Sequence, residues 1–265
     1  MRRVTGRAAL ALAGLAGHPA AAPCQQPDTT AGVQVYAEAR IVSRYIWRGY
    51  DISRAQPALQ PYVEVSLPNG LGLNVFTSTA MDRKTELDEA QIGFTFSREV
   101  GGSWELGVGL LGYVAPGTET EPGSDPADPF AATTSGELVA SVTRSWDAGY
   151  ATLTYSRGQG AGAGNSVNIW AQHAWTWAAG RWSVEPYLQV DYLDEYGPPA
   201  GLRERMSGVE LGVPLYLRMG GIRFLAAGYA TVVPSSYVRT SNASAGSSSR
   251  EVLTWVALGV VHGRD

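Results

Sequence analysis

From Val33 onward, apolar and polar residues alternate with period two over most of the chain, and this pattern constrains the fold more than any other feature. Val33, Val35, Ala37, Ala39 and Ile41 share one parity; Gln34, Glu38, Arg40 and Arg44 share the other. Successive side chains of a strand point to opposite faces, so alternation of this length predicts a half-buried β-strand rather than a helix. The same pattern recurs at 59–67, 71–75, 89–96, 104–110, 137–143, 151–156, 167–172, 182–191, 209–216 and 222–229. A last run, Arg250 to His262, is apolar on both parities, so alternation assigns it no orientation. Twelve strands are expected.

The connections between these strands sort by length. Short links are Pro68 to Gly70, Arg98 to Gly102, Trp146 to Gly149, Ala178 to Arg181 and Met219 to Gly221. Longer ones include Ala115 to Ser135, Gly158 to Gly164, Asp194 to Arg205 and Pro234 to Ser249, and the two kinds alternate along the chain. Transmembrane β-barrels have this signature, with short periplasmic turns and longer extracellular loops, and an even strand number leaves both termini on the periplasmic side. A secreted sandwich or lipocalin-like barrel also alternates. Its loops have no reason to sort by length, and its strands average only about 5–6 residues. Several runs here reach the roughly 9–11 residues that a membrane strand needs. The expected fold is all-β, a transmembrane antiparallel up-and-down barrel of about twelve strands over residues 33–265.

Composition agrees with an interface between oil and water. Eight Trp and thirteen Tyr stand against five Phe, favouring aromatics with a polar end. The single cysteine, Cys24, excludes an intramolecular disulfide and a cysteine-based zinc cage. No apolar run is long enough for a spanning helix. Arg2, Arg3 and Arg7, the apolar Ala8 to Ala16 and the small residues before Cys24 read as an export signal over residues 1–22. Residues 23–32 follow as a flexible periplasmic lead-in. Loss of Met1 to Ala22 removes three arginines and no acid, moving the formal charge from −4 to −7, which argues against a nucleic-acid partner.

The stretch Ser43 to Phe76 crowds Tyr45, Trp47 and Tyr50 around Arg44, Arg48 and Asp51. Continuing the parity of Val33 and Ile41, Tyr45 and Trp47 are expected in an outer aromatic girdle, with Trp175, Trp177 and Trp182 in the lower one. Arg40, Arg44 and Arg48 then form a ladder on the lumen wall, facing Glu38, Glu64 and Glu89; Glu185 and Asp191 complete the expected pore-lining set. Ser43, Tyr45, Arg48 and Gly49, followed by Ser53, Pro57, Ala58, Gln60, Gly72 and Ser78, resemble the N-terminal signature of the TorF-type porin family. An aromatic-Arg-Gly-x-x-x-Ser arrangement is also similar to the barrels grouped with the murein-hydrolase scaffolding protein MipA. The TorF-type resemblance implies an outer-membrane barrel with channel function and no catalytic residues. The end, Val260 to Asp265, departs from outer-membrane proteins at large in lacking a terminal aromatic, which bears on how the barrel-assembly machinery reads the last strand.

Enzyme chemistry finds little support. A barrel hydrolase needs a histidine base near a nucleophile, yet only His173 and His262 remain after the signal, and neither falls near the outer loops. Glu119, Glu121, Asp125 and Asp128 offer carboxylates for calcium or for a divalent bridge to lipopolysaccharide, but their spacing matches no EF-hand and a solvated loop is the expected reading. The run Gly158 to Gly164 lacks the Lys-Ser/Thr of a phosphate-binding loop. No metal and no cofactor is expected. The resulting expectation is a bacterial outer-membrane channel for small polar or ionic solutes, in contact with outer-membrane lipid and lipopolysaccharide. The alternative is a non-conducting scaffold or surface-binding barrel. Twelve strands lie between side-chain-filled barrels of eight and water-filled ones of 16–18, so the long Ala115 to Ser135 loop is a candidate to occlude the lumen.

Overall fold

The computed structural model describes residues 32–81, 87–115, 133–160, 164–194, 205–244, 246–247 and 249–263. The export signal, most of the lead-in, the acidic 115–135 loop beyond Ala115 and before Thr133, and residues 161–163 of the glycine-rich run lie outside the described residues.

Strand β1 (Gln34–Val42) is followed by two short strands, β2 (Ile46–Trp47) and β3 (Tyr50–Asp51), that pair only with each other. The wall continues through β4 (Ala58–Ser66), β5 (Leu71–Ala80), β6 (Leu87–Val100), β7 (Trp104–Ala115), β8 (Thr133–Trp146) and β9 (Gly149–Gly160). The next wall strand is β10 (Gly164–His173) with β11 (Trp175–Trp177), interrupted at Ala174; its successor is β12 (Trp182–Val184) with β13 (Tyr187–Asp194). The second break falls at Pro186, which has no N–H to give a ladder. β14 (Arg205–Met219), β15 (Ile222–Val232), helix α1 (Ser236–Ser244) and β16 (Val252–His262) complete the chain. Neighbours pair antiparallel throughout, and β1 pairs with β16 from Ala37↔His262 to Val42↔Ala257, so twelve wall strands close into a barrel with no free edge along that length.

Side-chain parity fixes the two faces. The outward residues form an apolar belt in which Phe94 is 57%, Leu110 60% and Leu258 65% exposed, with Val35, Ile41, Val63, Leu153, Ile169 and Leu211 alongside. Water-soluble monomers rarely expose contiguous apolar patches beyond a few hundred Å², whereas hydrocarbon solvates such a surface and closure satisfies the backbone within it. Trp104, Trp146, Trp175 and Trp177 are exposed at the short-turn end, where Trp177 pairs with the half-buried Trp182. Short turns need special backbone. Gly70, in the Pro68 to Gly70 link, has φ +88°, and a Cβ there would lie 2.2 Å from the Ser97 carbonyl oxygen.

β16 resolves the orientation that alternation left open. Val252, Thr254, Val256, Leu258 and Val260 face out, and Leu253, Trp255, Ala257 and Val261 face in. The inward residues are apolar because this side of the lumen is itself an aromatic core. Trp255 stacks on Tyr229 with ring centres 3.7 Å apart, and Trp170 stacks on Tyr187 at 3.9 Å.

Candidate functional site: an inward hairpin clasped across the lumen

The segment after β1 does not continue up the wall. Ser43 makes the last bonds to β16, its N–H donating to the Val256 carbonyl at 2.8 Å and its Oγ accepting from the Val256 N–H at 3.0 Å. The chain then bends inward, and the β2–β3 hairpin crosses the mouth of the barrel. Its turn residues, Arg48 (φ +50°) and Gly49 (φ +86°), both have positive φ, as a type I′ two-residue hairpin requires. Gly49 has a second reason to be glycine: a Cβ would lie 2.4 Å from the Ser207 carbonyl oxygen on β14. Ser207 sits where the β13–β14 register shifts between Asp191 and Tyr192, a bulge that brings this backbone toward the hairpin.

This overturns two expectations. Tyr45 and Trp47 are not in a lipid-facing girdle: Tyr45 is 3% exposed with its hydroxyl donating to Glu89 at 3.2 Å, and Trp47 packs inside against Tyr113. Parity carries no information beyond the bend at Ser43, because the strand that defined it has ended. Nor do Arg40, Arg44 and Arg48 form a ladder on one wall. Arg40 stays on β1, 2.7 Å from Glu38. Arg44 stands at the mouth, 3.2 Å from Asp51. Arg48 rides the hairpin tip and reaches β8, where its two terminal nitrogens meet the Glu137 oxygens at 2.8 and 3.1 Å. Its guanidinium also lies 4.6 Å from the Trp47 ring centre and 3.4 Å from Ser156 Oγ on β9.

A second clasp comes from the β15–β16 connection. Asn242 of α1 accepts from the Asp51 N–H at 2.9 Å and donates to the Gly49 carbonyl at 3.0 Å. The Ser247 hydroxyl donates to Asp51, whose carboxylate also accepts from the Ala55 N–H at 3.1 Å. Burial pushes the Asp51 carboxyl above its ordinary range despite these donors and the nearby Arg44. The remaining signature residues support the same turn. Ser53 Oγ accepts from the Tyr45 N–H at 2.9 Å; the Pro57 carbonyl accepts from Met81 at 2.8 Å where β4 begins; Gln60 and Ser78 face the lumen, buried.

The other expected pore residues all face inward. Glu38, Glu64, Glu89, Glu185 and Asp191 are at most 8% exposed. Each carboxylate has partners: Tyr62 and Ser66 for Glu64, Ser183, Gln172 and the more distant Arg223 (3.5 Å) for Glu185, Asn168 and Gln189 for Asp191. Buried carboxylates demand such donors. The inward carboxylates are therefore paired rather than free, from Glu64 and Glu185 toward the short-turn end to Asp191 and Glu137 at the level of the hairpin tip. Alternation puts Glu137 on the polar face of its strand, but nothing local ties it or Asn242 to the turn they hold, which lies 89 and 193 residues away. A buried acid opposite a turn arginine has no local signal. His173 packs against Trp175 with ring centres 4.5 Å apart, and His262 Nδ1 lies 3.0 Å from the Gly221 carbonyl oxygen at the short-turn end.

The architecture is similar to solved porins. The KdgM porin superposes with a TM-score of 0.54 at 9% identity, covering 87% of this chain and 99% of its own. The NanC porin gives 0.54 at 10% identity, covering 85% and 98%. At such identities the likeness shows the fold alone. No curated protein matches the sequence. The model of one family, described as bacterial proteins of unknown function (Gcw_chp), matches residues 26–167, a span that contains Ser43 to Pro57 and the Glu137 that Arg48 grips. By that match the chain belongs to the Gcw_chp family.

Proposed function

We propose that the protein is an outer-membrane porin through which small polar or ionic solutes diffuse, with the β2–β3 hairpin as its constriction. One observation carries this reading. The inward faces of β1, β4, β8, β10 and β13 place Glu38, Arg40, Gln60, Glu64, Glu137, Asn168, Gln189 and Asp191 inside a barrel whose outside is apolar. A barrel that served only to stand in the membrane has no need of charge within it, since each buried charge costs free energy unless paired. Charged rungs give a solute path its ion preference. The porin-like fold and the TorF-type resemblance support the same reading.

The competing reading is a non-conducting barrel, favoured by the burial of those same side chains around the docked hairpin. Planar-bilayer recording of the refolded protein separates the two. Discrete current steps, with an ion preference altered by Arg40→Gln, are expected. A silent bilayer from protein whose heat-modifiable mobility shows a folded barrel contradicts the channel.

A further inference from the structure

The first and last strands part before the rim. β16 remains paired with β15 as far as Val252↔Val232, while its pairing with β1 ends at Val42↔Ala257 and the Ser43 rung above it. Above that rung the chain of β1 has turned into the lumen. In the place where β1 would have continued is a cavity of ≈ 350 Å³ lined by Arg44, Arg250, Val252, Leu253 and Thr254. Val252 and Thr254 point to the outer surface and Leu253 points in, so the cavity lies within the wall, at the long-loop rim. Val256, bonded to Ser43 through both its backbone groups, shows which way that parity of β16 directs N–H and C=O. Alternate residues of a strand repeat that direction, so the Val252 and Thr254 backbones face the cavity.

We propose that this cleft binds the phosphate of a lipid headgroup. The assignment rests on the outer-membrane placement proposed above, but not on conduction. Two arginines converge on one cavity, and the planar guanidinium fork matches a phosphate's oxygens in bidentate fashion. Arg44 is held in place by Asp51 and is only 20% exposed, which gives the site a fixed rung. Arg250 is exposed and supplies the adaptable one. The volume exceeds that of a bare phosphate and leaves room for the sugar or glycerol that carries it. Below the cleft the outward residues Val256, Leu258 and Val260 form an apolar track for an acyl chain. That combination, cations at the rim over an apolar track, suits an amphiphile better than a free anion. Because Arg44 also pairs with the hairpin's Asp51, a phosphate here competes for the same guanidinium that steadies the clasp.

The test uses the full chain refolded in non-ionic detergent, titrated by native mass spectrometry with bis-phosphorylated lipid A, with its dephosphorylated form and with inorganic phosphate. The expected result is lipid A binding at least tenfold tighter than the dephosphorylated form, as a charge-assisted bidentate contact implies. Arg250→Ala, on an exposed side chain, is expected to weaken lipid A by about tenfold, with Arg250→Lys intermediate. Arg44→Ala/Arg250→Ala is expected to abolish the preference for the phosphorylated form. Equal affinity for both lipid forms, or a double variant within twofold of the native protein, overturns the site. Inorganic phosphate that displaces lipid A at comparable concentration overturns the lipid assignment in favour of a solute anion. A protein that binds lipid A yet conducts nothing sinks the channel and leaves the cleft intact.

Discussion

Replacing Glu137 by glutamine removes the charge opposite Arg48 while keeping the side chain's shape. In the docked hairpin Arg48 and Glu137 have side chains 4% and 1% exposed, with contacts at 2.8 and 3.1 Å. Breaking a buried pair by removing one partner costs about 3–5 kcal/mol, because a charge is left buried without its counterion. The hairpin can escape that cost by swinging out and hydrating Arg48. The docking equilibrium of Glu137→Gln should therefore shift by roughly 10²–10⁴-fold toward release. Trp47 and Ser156, which also touch Arg48, and the neighbouring Asp191 carboxylate, which acts on its charge, temper the shift toward the lower end. Hydrogen exchange of the backbone from Tyr45 to Ala55, in detergent or nanodiscs, reads the docked fraction directly. Exchange in this segment should accelerate by that factor while β7 and β8 stay protected. Arg48→Met/Glu137→Met, which removes both charges, should return much of the protection, since a matched apolar pair is often neutral or better. Exchange in Glu137→Gln within twofold of the native rate, or a double variant as open as the single one, refutes the latch.

Gly49→Ala should undock the hairpin by a different route, since a Cβ meets the Ser207 carbonyl and the residue holds φ +86°; a loss of about 1–3 kcal/mol is expected as enhanced trypsin cleavage after Arg48 and Arg54. Asp51 gives the clasp a pH dependence. Its carboxyl is raised by burial, so the docked state binds the proton more tightly than the free one. Docking is then strongest below the ordinary carboxylate range and weakens as pH rises through the raised value; Asp51→Asn should flatten that dependence in the same exchange assay. Leu110→Arg, at the middle of β7 on the apolar belt, should cost ~2–4 kcal/mol of folding stability in a bilayer, measured by reversible denaturant titration in liposomes. A loss below ~0.5 kcal/mol would place that face outside hydrocarbon.

The barrel was legible because period two and loop length are local, repeated signals. Leu106, Val108 and Leu110 against Glu105, Gly107 and Gly109 need nothing beyond β7 itself to declare their faces, and the wall places them so. β16 was illegible in orientation because Leu253 and Trp255 face an aromatic lumen rather than water, which erases the polarity contrast that alternation relies on. Tyr45 and Trp47 were misplaced for a related reason: an aromatic with a polar tip suits a headgroup layer and a polar lumen equally well. Only the bend at Ser43 decides between them, and its partner, Val256, lies at the other end of the chain. The signature residues stood out in the sequence, but their purpose needed Glu137 and Asn242 beside them.

The proposed membrane placement puts hydrocarbon around this cylinder and paired polar and aromatic side chains within it. Nitroxide labels introduced singly at Phe94, Leu110 and Leu258, all outward and exposed, and at Thr154 and Asn168, both inward and buried, test it in reconstituted vesicles. Paramagnetic relaxation by dissolved oxygen should exceed that by a water-soluble nickel chelate at the three outward sites, and oxygen should have no such advantage at the two inward ones. Outward labels relaxed mainly by the nickel chelate would mean that water, not hydrocarbon, surrounds the barrel.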